Sequence, residues 1–321
     1  MRGRALFTAS VLAALLVTVA TTAVLLWVDP KQPKAEAVKT GGLAGGAVVA
    51  LYALWLNDRR RRTEEARHEL EGQKVADEKF ARAVELLGNE ADQVRVGAMH
   101  VLAELTRTSP GYKQTVLSVL CAYLRRPFSH PALGAKAEDP DQAYFGEPER
   151  PVTEEEDREM TVRMTAQRLI TDMLPWGSDR DETPYSLDLT GAKLVHFRLE
   201  GRRLARLVAR RADFYGITQF AEVELGKPAL FSGATFHGRV NFRDGKFDGG
   251  ISFQDTTFKR ELNVTDARVG TFLHVAPTPP EHQVGALEVL PGTAFRNDPA
   301  GWRLTGDGQS PARLQGHVEQ D

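Results

Sequence analysis

Histidine, cysteine and clustered carboxylate are the side chains here that could do chemistry, and their spacing argues against each chemistry in turn. His196, His237 and His274 could ligate a metal, but they lie too far apart for the short ligand spacings of a metal site. Surface histidine is the expectation. Cys121 is the only cysteine. One thiol excludes an intrachain disulfide and any multi-cysteine metal site. Its neighbours Leu117, Leu120, Ala122 and Leu124 predict a helix core, where a thiol is unreactive. The acids from Glu147 to Glu159 have no recognisable partner base, and a charge run reads as solvated surface. Phosphate-loop, dinucleotide, nucleophile-elbow and His-Glu-x-x-His patterns are absent from the sequence. The expectation is a protein with no catalytic residues, no metal and no cofactor. Asn263-Val264-Thr265 matches a glycosylation sequon, which matters only outside the cytoplasm.

With no catalytic set to position, the elements point elsewhere. Ala5 to Val28 carries no charge and is long enough to cross a bilayer, which needs about 20 apolar residues. It exceeds the roughly 7–15 residues of a signal-peptide core and lacks a small-x-small cleavage site, so a retained anchor is expected. Pro30 and Pro33 break the helix. A second apolar run, Gly41 to Leu56, follows Lys39, whose stem can snorkel. Gly41, Gly42, Gly45 and Gly46 form two overlapping G-x-x-x-G pairs that suit close helix packing. Arg59, Arg60, Arg61 and Arg62 come next and should stay cytoplasmic, as should Arg2 and Arg4. The expected topology is a hairpin over 1–56 with spans at about 5–28 and 40–56, and both termini cytoplasmic. That Arg run could also grip anionic headgroups, at about 1 kcal/mol per charge. Neither span holds an internal ionisable residue, which favours an anchor over a transporter.

Residues 57–127 read as a helical stalk and bundle. Phe80, Ala83, Val84, Leu86 and Leu87 enter the core before Gly88, and Val94, Ala98, Val101, Leu102 and Leu105 define a second helix. Ser109-Pro110 predicts the start of a third, with Ser109 as N-cap. Its apolar face is Val116, Val119, Leu120, Tyr123 and Leu124. Residues 128–152, rich in Pro, Gly and acids, read as a flexible loop. Thr153 and Glu156 form a capping box for a helix within 153–184, whose Met160, Met164, Leu169, Ile170 and Met173 read as core.

From 185 to 275 the pattern changes to a five-residue period. Large apolar residues recur at Leu189, Leu194, Leu199 and Leu204, weaken at Ala209, and return at Phe214. The spacing then alternates six and five through Phe220, Leu225, Phe231, Phe236, Phe242, Phe247, Phe253, Phe258, Val264, Val269 and Val275. Two positions before them lie two regular sets: Thr218, Ala229, Val240, Ile251, Leu262 and Leu273, and the mostly small Val223, Ala234, Gly245, Thr256 and Ala267. Five fits neither a helix nor a flat strand. It fits a chain that turns a corner every five residues, four sides to a coil, with coils stacked about 4.8 Å apart. About four coils are expected between Tyr185 and Val275 on this coil length. The ladder is expected to be core and nothing more. Arg202 sits where a small residue belongs, so that coil is distorted or the side chain snorkels out. Residues 276–321 read as an irregular cap, where Leu290 and Phe295 hint at one more coil, followed by a disordered tail from Gly306.

Ala192-Lys193-Leu194, Ala212-Asp213-Phe214 and Phe231-Ser232-Gly233-Ala234-Thr235-Phe236 resemble the pentapeptide repeat family. The segment from Phe80 to Ala98 is similar to the helices that precede the repeats in membrane-anchored bacterial members. The resemblance implies a right-handed quadrilateral β-helix behind a two-helix transmembrane hairpin and a small α-helical connector, in a bacterial inner membrane. The expected function is a membrane-tethered scaffold that presents the rod to a protein partner or to a second copy of itself. The resemblance also raises DNA mimicry directed at topoisomerases. Mimicry needs a negative surface, yet residues 185–275 carry fourteen basic against ten acidic residues. A third expectation is binding of anionic lipid or nucleic acid through Arg198, Arg202, Arg203, Arg206, Arg210 and Arg211, set against a plain solvated face.

Overall fold

A computed structural model describes residues 2–28, 34–134, 148, 150–296, 301–306 and 311–316. The chain divides into two compact units, Met1–Asp77 and Glu78–Asp321.

In the first unit, helix α1 covers Arg2–Val28, and α2 begins at Lys34 and runs to Leu86. One stretch among the described residues is long and apolar enough to cross a membrane, Val38–Arg62, with a mean hydropathy of 1.3. The apolar part of α1 that meets the same test of composition is shorter, Val11–Val24. The expected pair of spans therefore reduces to one candidate. The turn expected at Pro30 and Pro33 lies outside the described residues. Gly45 is buried, and a Cβ there would meet the Thr18 hydroxyl and the Ala14 carbonyl. Gly42 and Gly46 have open space instead. At the end of the apolar stretch Tyr52 stacks on Trp55 at 5.9 Å, and the Arg59 guanidinium lies 5.4 Å from the Trp55 ring centroid. Arg61 and Arg62 pair along the helix with Glu65 and Asp58.

The second unit opens with a helical bundle. Helices α3 (Asp92–Thr108), α4 (Lys113–Leu124) and α6 (Glu154–Met173) bury Met99, Leu102, Leu117, Leu120, Leu124, Val162 and Ile170. Cys121 is buried among them, and burial pushes its thiol up to about 12. Local expectations differ from the structure at four positions: Val84 and Val101, expected on core faces, are exposed, because each lies on the side of its helix away from the bundle, and Ser109 and Met164 differ too. Ser109 makes no side-chain cap; the Pro110–Tyr112 3-10 turn starts α4 instead. Met164 is exposed on α6, because the bundle covers only one face of that helix. The Thr153 capping box is present, with the Thr153 amide donating to Glu156 at 3.0 Å and the Glu156 amide donating to the Thr153 hydroxyl at 3.3 Å. The expected loop contains one helical turn, α5 (Pro131–Gly134), and its stretch 135–147 lies outside the described residues.

From Ser186 the chain winds as a β-solenoid of about five turns with four faces. Face 1 stacks six short strands, from Ser186–Asp188 to Ala294–Phe295. Face 2 runs from Lys193–Val195 to Thr257–Phe258, face 3 from Thr218–Gln219 to Gln283–Val284, and face 4 from Arg203–Leu204 to Leu287–Val289. All of these rungs pair in parallel. Register explains the change of period. Ser186 pairs with Arg206 and Lys193 with Asp213, a step of 20 residues, whereas Ala229 pairs with Ile251 and Thr235 with Thr257, a step of 22. Four sides of five give the first coil. Two sides of five and two of six give the middle ones, and the last coil shortens to steps of 21 on face 3 and 20 on face 4.

The ladder fills the interior. Leu189, Leu194, Leu199, Leu204, Phe214, Phe220, Leu225, Phe231, Phe236, Phe242, Phe247, Phe253, Val264 and Val269 are buried. Equivalent rings stack coil upon coil: Phe214 on Phe236 at 4.6 Å, Phe236 on Phe258 at 5.2 Å and Phe220 on Phe242 at 5.1 Å. Phe258 is only half-buried, because face 2 ends with its strand and Pro277, Pro279 and Pro280 cannot donate to a further rung. Phe197, two before Leu199 where a small residue was expected, is also interior and packs on Phe214 and Phe220. The corner two residues after alternate ladder positions is left-handed. Gly191, Gly201 and Gly233 occupy it, and so do Arg211, Glu222, Asp244, Asp255 and Asp266, with φ between 54° and 70°.

The helices, or the segment after them, reach the first coil at every face. Gln114 of α4 accepts from the Ser186 amide at 2.8 Å and donates to its carbonyl at 2.9 Å. Gln167 of α6 does the same for Val195, at 3.1 and 3.4 Å. The Thr171 hydroxyl donates to Arg198 O at 2.6 Å, and the Arg203 amide donates to Pro175 O at 2.8 Å. An exposed strand edge offers unpaired backbone groups to any other strand. Here each face has its own donor or acceptor from the helices or the segment after them.

The tail differs from expectation. Trp302–Thr305 and Ala312–Gly316 pair antiparallel, and the second strand pairs antiparallel with Leu287–Val289. Leu314 is buried and Trp302 Nε1 donates to Ala276 O at 2.9 Å, so this hairpin covers the last rung of face 4. Alternating Trp302, Leu304 and Leu314 was too sparse a signal beside the surrounding Gly and Pro.

Candidate interaction surfaces

With the ladder committed to the core, function falls to the outward rows. The six arginines of the sequence cluster are not brought together. Arg198 bridges to Gln219 on face 3, Arg203 lies on face 4, and Arg206 on face 1, while Arg210 and Arg211 sit at the corner between faces 1 and 2. A run of one full coil necessarily distributes its residues around the rod. Two members have internal work. Arg202 is buried, lies 3.9 Å from the Trp176 ring centroid, and donates to Leu174 O at 2.8 Å. Its side chain thus leaves the interior for the junction with the bundle, and the coil keeps its register. Arg203 pairs with Glu224 at 3.2 Å and donates to the carbonyls of Asp179 and Gly177. Arg198, Arg206, Arg210 and Arg211 remain exposed.

Rows along the rod form side-chain ladders. On face 4, Glu224 is held between Arg203 and Lys246, the latter at 2.7 Å. Burial opposes its charge, but those two partners win and hold the carboxyl below its usual range. On face 3, Asn241 donates to Gln219 at 3.1 Å. On face 2, Tyr215 stacks on His237 at 4.2 Å, His237 Nε2 lies 2.9 Å from Asp213, and Lys259 Nζ lies 3.3 Å from His237 Nδ1. On face 1, Ser232, Ser252 and His274 form a chain at 3.1 and 3.2 Å. The three histidines are thereby separated: His237 and His274 sit in different rows, and His196 follows the face 2 strand of the first coil. Among the described residues no group of three or more His, Cys, Asp or Glu is placed to hold a metal. A Ser–His pair such as Ser252–His274 has no third, orienting group among the described residues, and Ser252 itself is buried.

Residues 220–268 match the family model described as pentapeptide repeats (9 copies). The solenoid is therefore of the pentapeptide-repeat type over that segment. No curated protein and no solved structure matches the chain.

Proposed function

We propose that this chain is a membrane-tethered scaffold that presents its solenoid to a protein partner in the cytoplasm. The observation that carries the reading is the solenoid itself: a filled core, four faces with regular outward rows, helices against its first coil and a hairpin over the last rung of face 4. Such a rod spends its interior on stability and has only surface to offer a partner. Val38–Arg62 supports the tether, with an aromatic pair and four arginines at its end. Residues 5–28 act as the other span in this proposal, with both termini inside a bacterial inner membrane. No reaction is part of it.

The test is capture from native membranes by the full-length chain and by four single variants: Leu230→Arg on face 1, Thr235→Arg on face 2, Asn241→Arg on face 3 and Lys246→Glu on face 4. A partner retained by the wild type and lost with variants of one face supports the reading. Equal, empty captures sink it. Topology is tested separately with engineered cysteines, since buried Cys121 contributes no background. Gln32→Cys should react with an impermeant maleimide from outside, and Gly72→Cys should not.

DNA mimicry gains nothing from a basic repeat region. Arg198 lies on a different face from Arg206, Arg210 and Arg211, which gives anionic lipid or nucleic acid a smaller basic patch than the linear run suggests.

A further inference from the structure

A cavity of about 420 Å³ lies where the bundle meets face 2, lined by Ser129, His130, Pro131, Leu133, Arg150, Lys193 and Tyr215. Its charged side chains among the described residues, Arg150 and Lys193, are cationic donors. Lys193 Nζ makes no hydrogen bond or ion pair among the described residues, although the residue is half-buried. The Tyr215 hydroxyl is also without a partner there, while the residue is only 8% exposed. Burial, and then the nearby Asp213 carboxylate, push that phenol up to about 12, so it is an O–H donor at neutral pH. Arg150 presents a guanidinium already engaged by Glu156 at 3.0 Å. Among the described residues, the carboxylates of Glu156 and Asp213 stand close without lining the cavity: Glu156 is taken by Arg150, and Asp213 by His237. His130 Nδ1 is used by the Ala132 amide, and burial lowers the pKa of this ring.

An ammonium and a hydroxyl without partners among the described residues, facing one space with no carboxylate among its described lining residues, suit a ligand that only accepts hydrogen bonds and carries negative charge. Phosphate meets both conditions, and charge-assisted bonds to its oxygens are the strong kind. The space exceeds a bare phosphate ion, and Pro131 and Leu133 give it an apolar wall for a small organic remainder. We propose that this cavity binds the phosphate group of a small soluble ligand, with Lys193 and Tyr215 as its principal donors. The site is independent of the scaffold proposal, since a face that binds a protein partner and a cavity that binds phosphate can each exist without the other.

The test is calorimetric titration of the full-length chain in detergent, at low ionic strength, with inorganic phosphate and with glycerol 3-phosphate. Saturable binding is expected to weaken about tenfold in Lys193→Gln and to recover in Lys193→Arg, as loss and return of one charge-assisted bond require. Tyr215→Phe keeps the stack on His237 and should weaken binding several-fold, about the effect of one neutral hydrogen bond. Thermal midpoints measured without ligand separate lost binding from lost folding. Absence of saturable binding by the wild type up to about 10 mM, where affinity is too weak to count as a site, overturns the proposal. So does equal affinity in wild type, Lys193→Gln and Tyr215→Phe. Flotation on phosphatidylglycerol vesicles distinguishes a lipid source: vesicle binding that depends on Lys193, without binding of either soluble phosphate, also overturns it.

Discussion

Gly201 shows how much a single corner residue can decide. Its φ is +66°, and a Cβ there would lie 2.6 Å from the Trp176 ring. Gly201→Ala combines left-handed strain with a clash, and should cost about 2 kcal/mol or more in urea unfolding. Glu222 occupies the equivalent corner one coil later with φ 57°, exposed and only 3.9 Å-paired with Arg243. Glu222→Gly should be neutral or gain up to about 1 kcal/mol, as relief of strain outweighs the added chain entropy. Equal effects at the two positions would mean that the corner geometry is not what selects glycine. The ladder was legible in the sequence at residue level because core packing repeats its chemistry at every rung. The corners were not, because Arg, Glu, Asp and Gly share one backbone conformation and no common side-chain property. Arg202 was legible as an anomaly, but its answer, the Trp176 ring and Leu174 carbonyl, lies in a segment with no repeat to align it against.

Elements meet through a few side chains that serve backbone. Gln167→Ala would leave both the amide and the carbonyl of Val195 without their partner, at about 2–4 kcal/mol for two buried groups. The loss should appear as a lower urea midpoint, with the helical signal retained. A change below about 0.5 kcal/mol would show that water replaces the glutamine. Asp181 ties α4 to the segment before the solenoid. Burial opposes its charge, but Thr183 and Lys113 win and hold the carboxyl down to about 2, with Lys113 Nζ at 3.1 Å. Because the folded pKa lies below the ordinary 3.8, this group adds stability above about pH 4 and loses it as pH falls toward 2. Asp181→Asn should therefore flatten the acid limb of a stability–pH profile between those values. An unchanged limb would assign acid sensitivity elsewhere. Helix existence in this region was readable from 3.6-residue periodicity and from the Thr153 capping box. The glutamine clamps were not, since Gln114 and Gln167 look like ordinary surface residues until the coil edge is placed against them.

At the scale of the molecule, the rod has a helical cover at one end and an antiparallel hairpin over face 4 at the other. Removing the second cover tests what it does. Leu314→Asp places a charge at a buried position of that hairpin and should free the edge of Leu287–Val289. The expected result is self-association seen by light scattering, with the monomer's β signal kept. A monomeric variant would mean that the edge is protected by other means. The solenoid as a class of architecture was legible because period alone dictates it. Four coils to Val275 follow from the spacing, and Leu290 and Phe295 mark the further turn, although its rungs Gln283–Val284 and Leu287–Val289 lack the phenylalanines of the earlier coils. The interaction surface was least legible, because outward rows form only after 20 or 22 residues of register, and a linear cluster such as Arg198 to Arg211 is spread around the coil.

The account stands on the claim that an outward face of the solenoid recognises a protein. Photo-crosslinking in cells tests it most directly, with a photoreactive amino acid placed singly at Leu230, Thr235, Asn241 and Lys246, one on each face, in the full-length chain. The account predicts one shared protein adduct from one face or two neighbouring faces, and none from the others. No adduct from any face, or equal and unrelated adducts from all four, would contradict it.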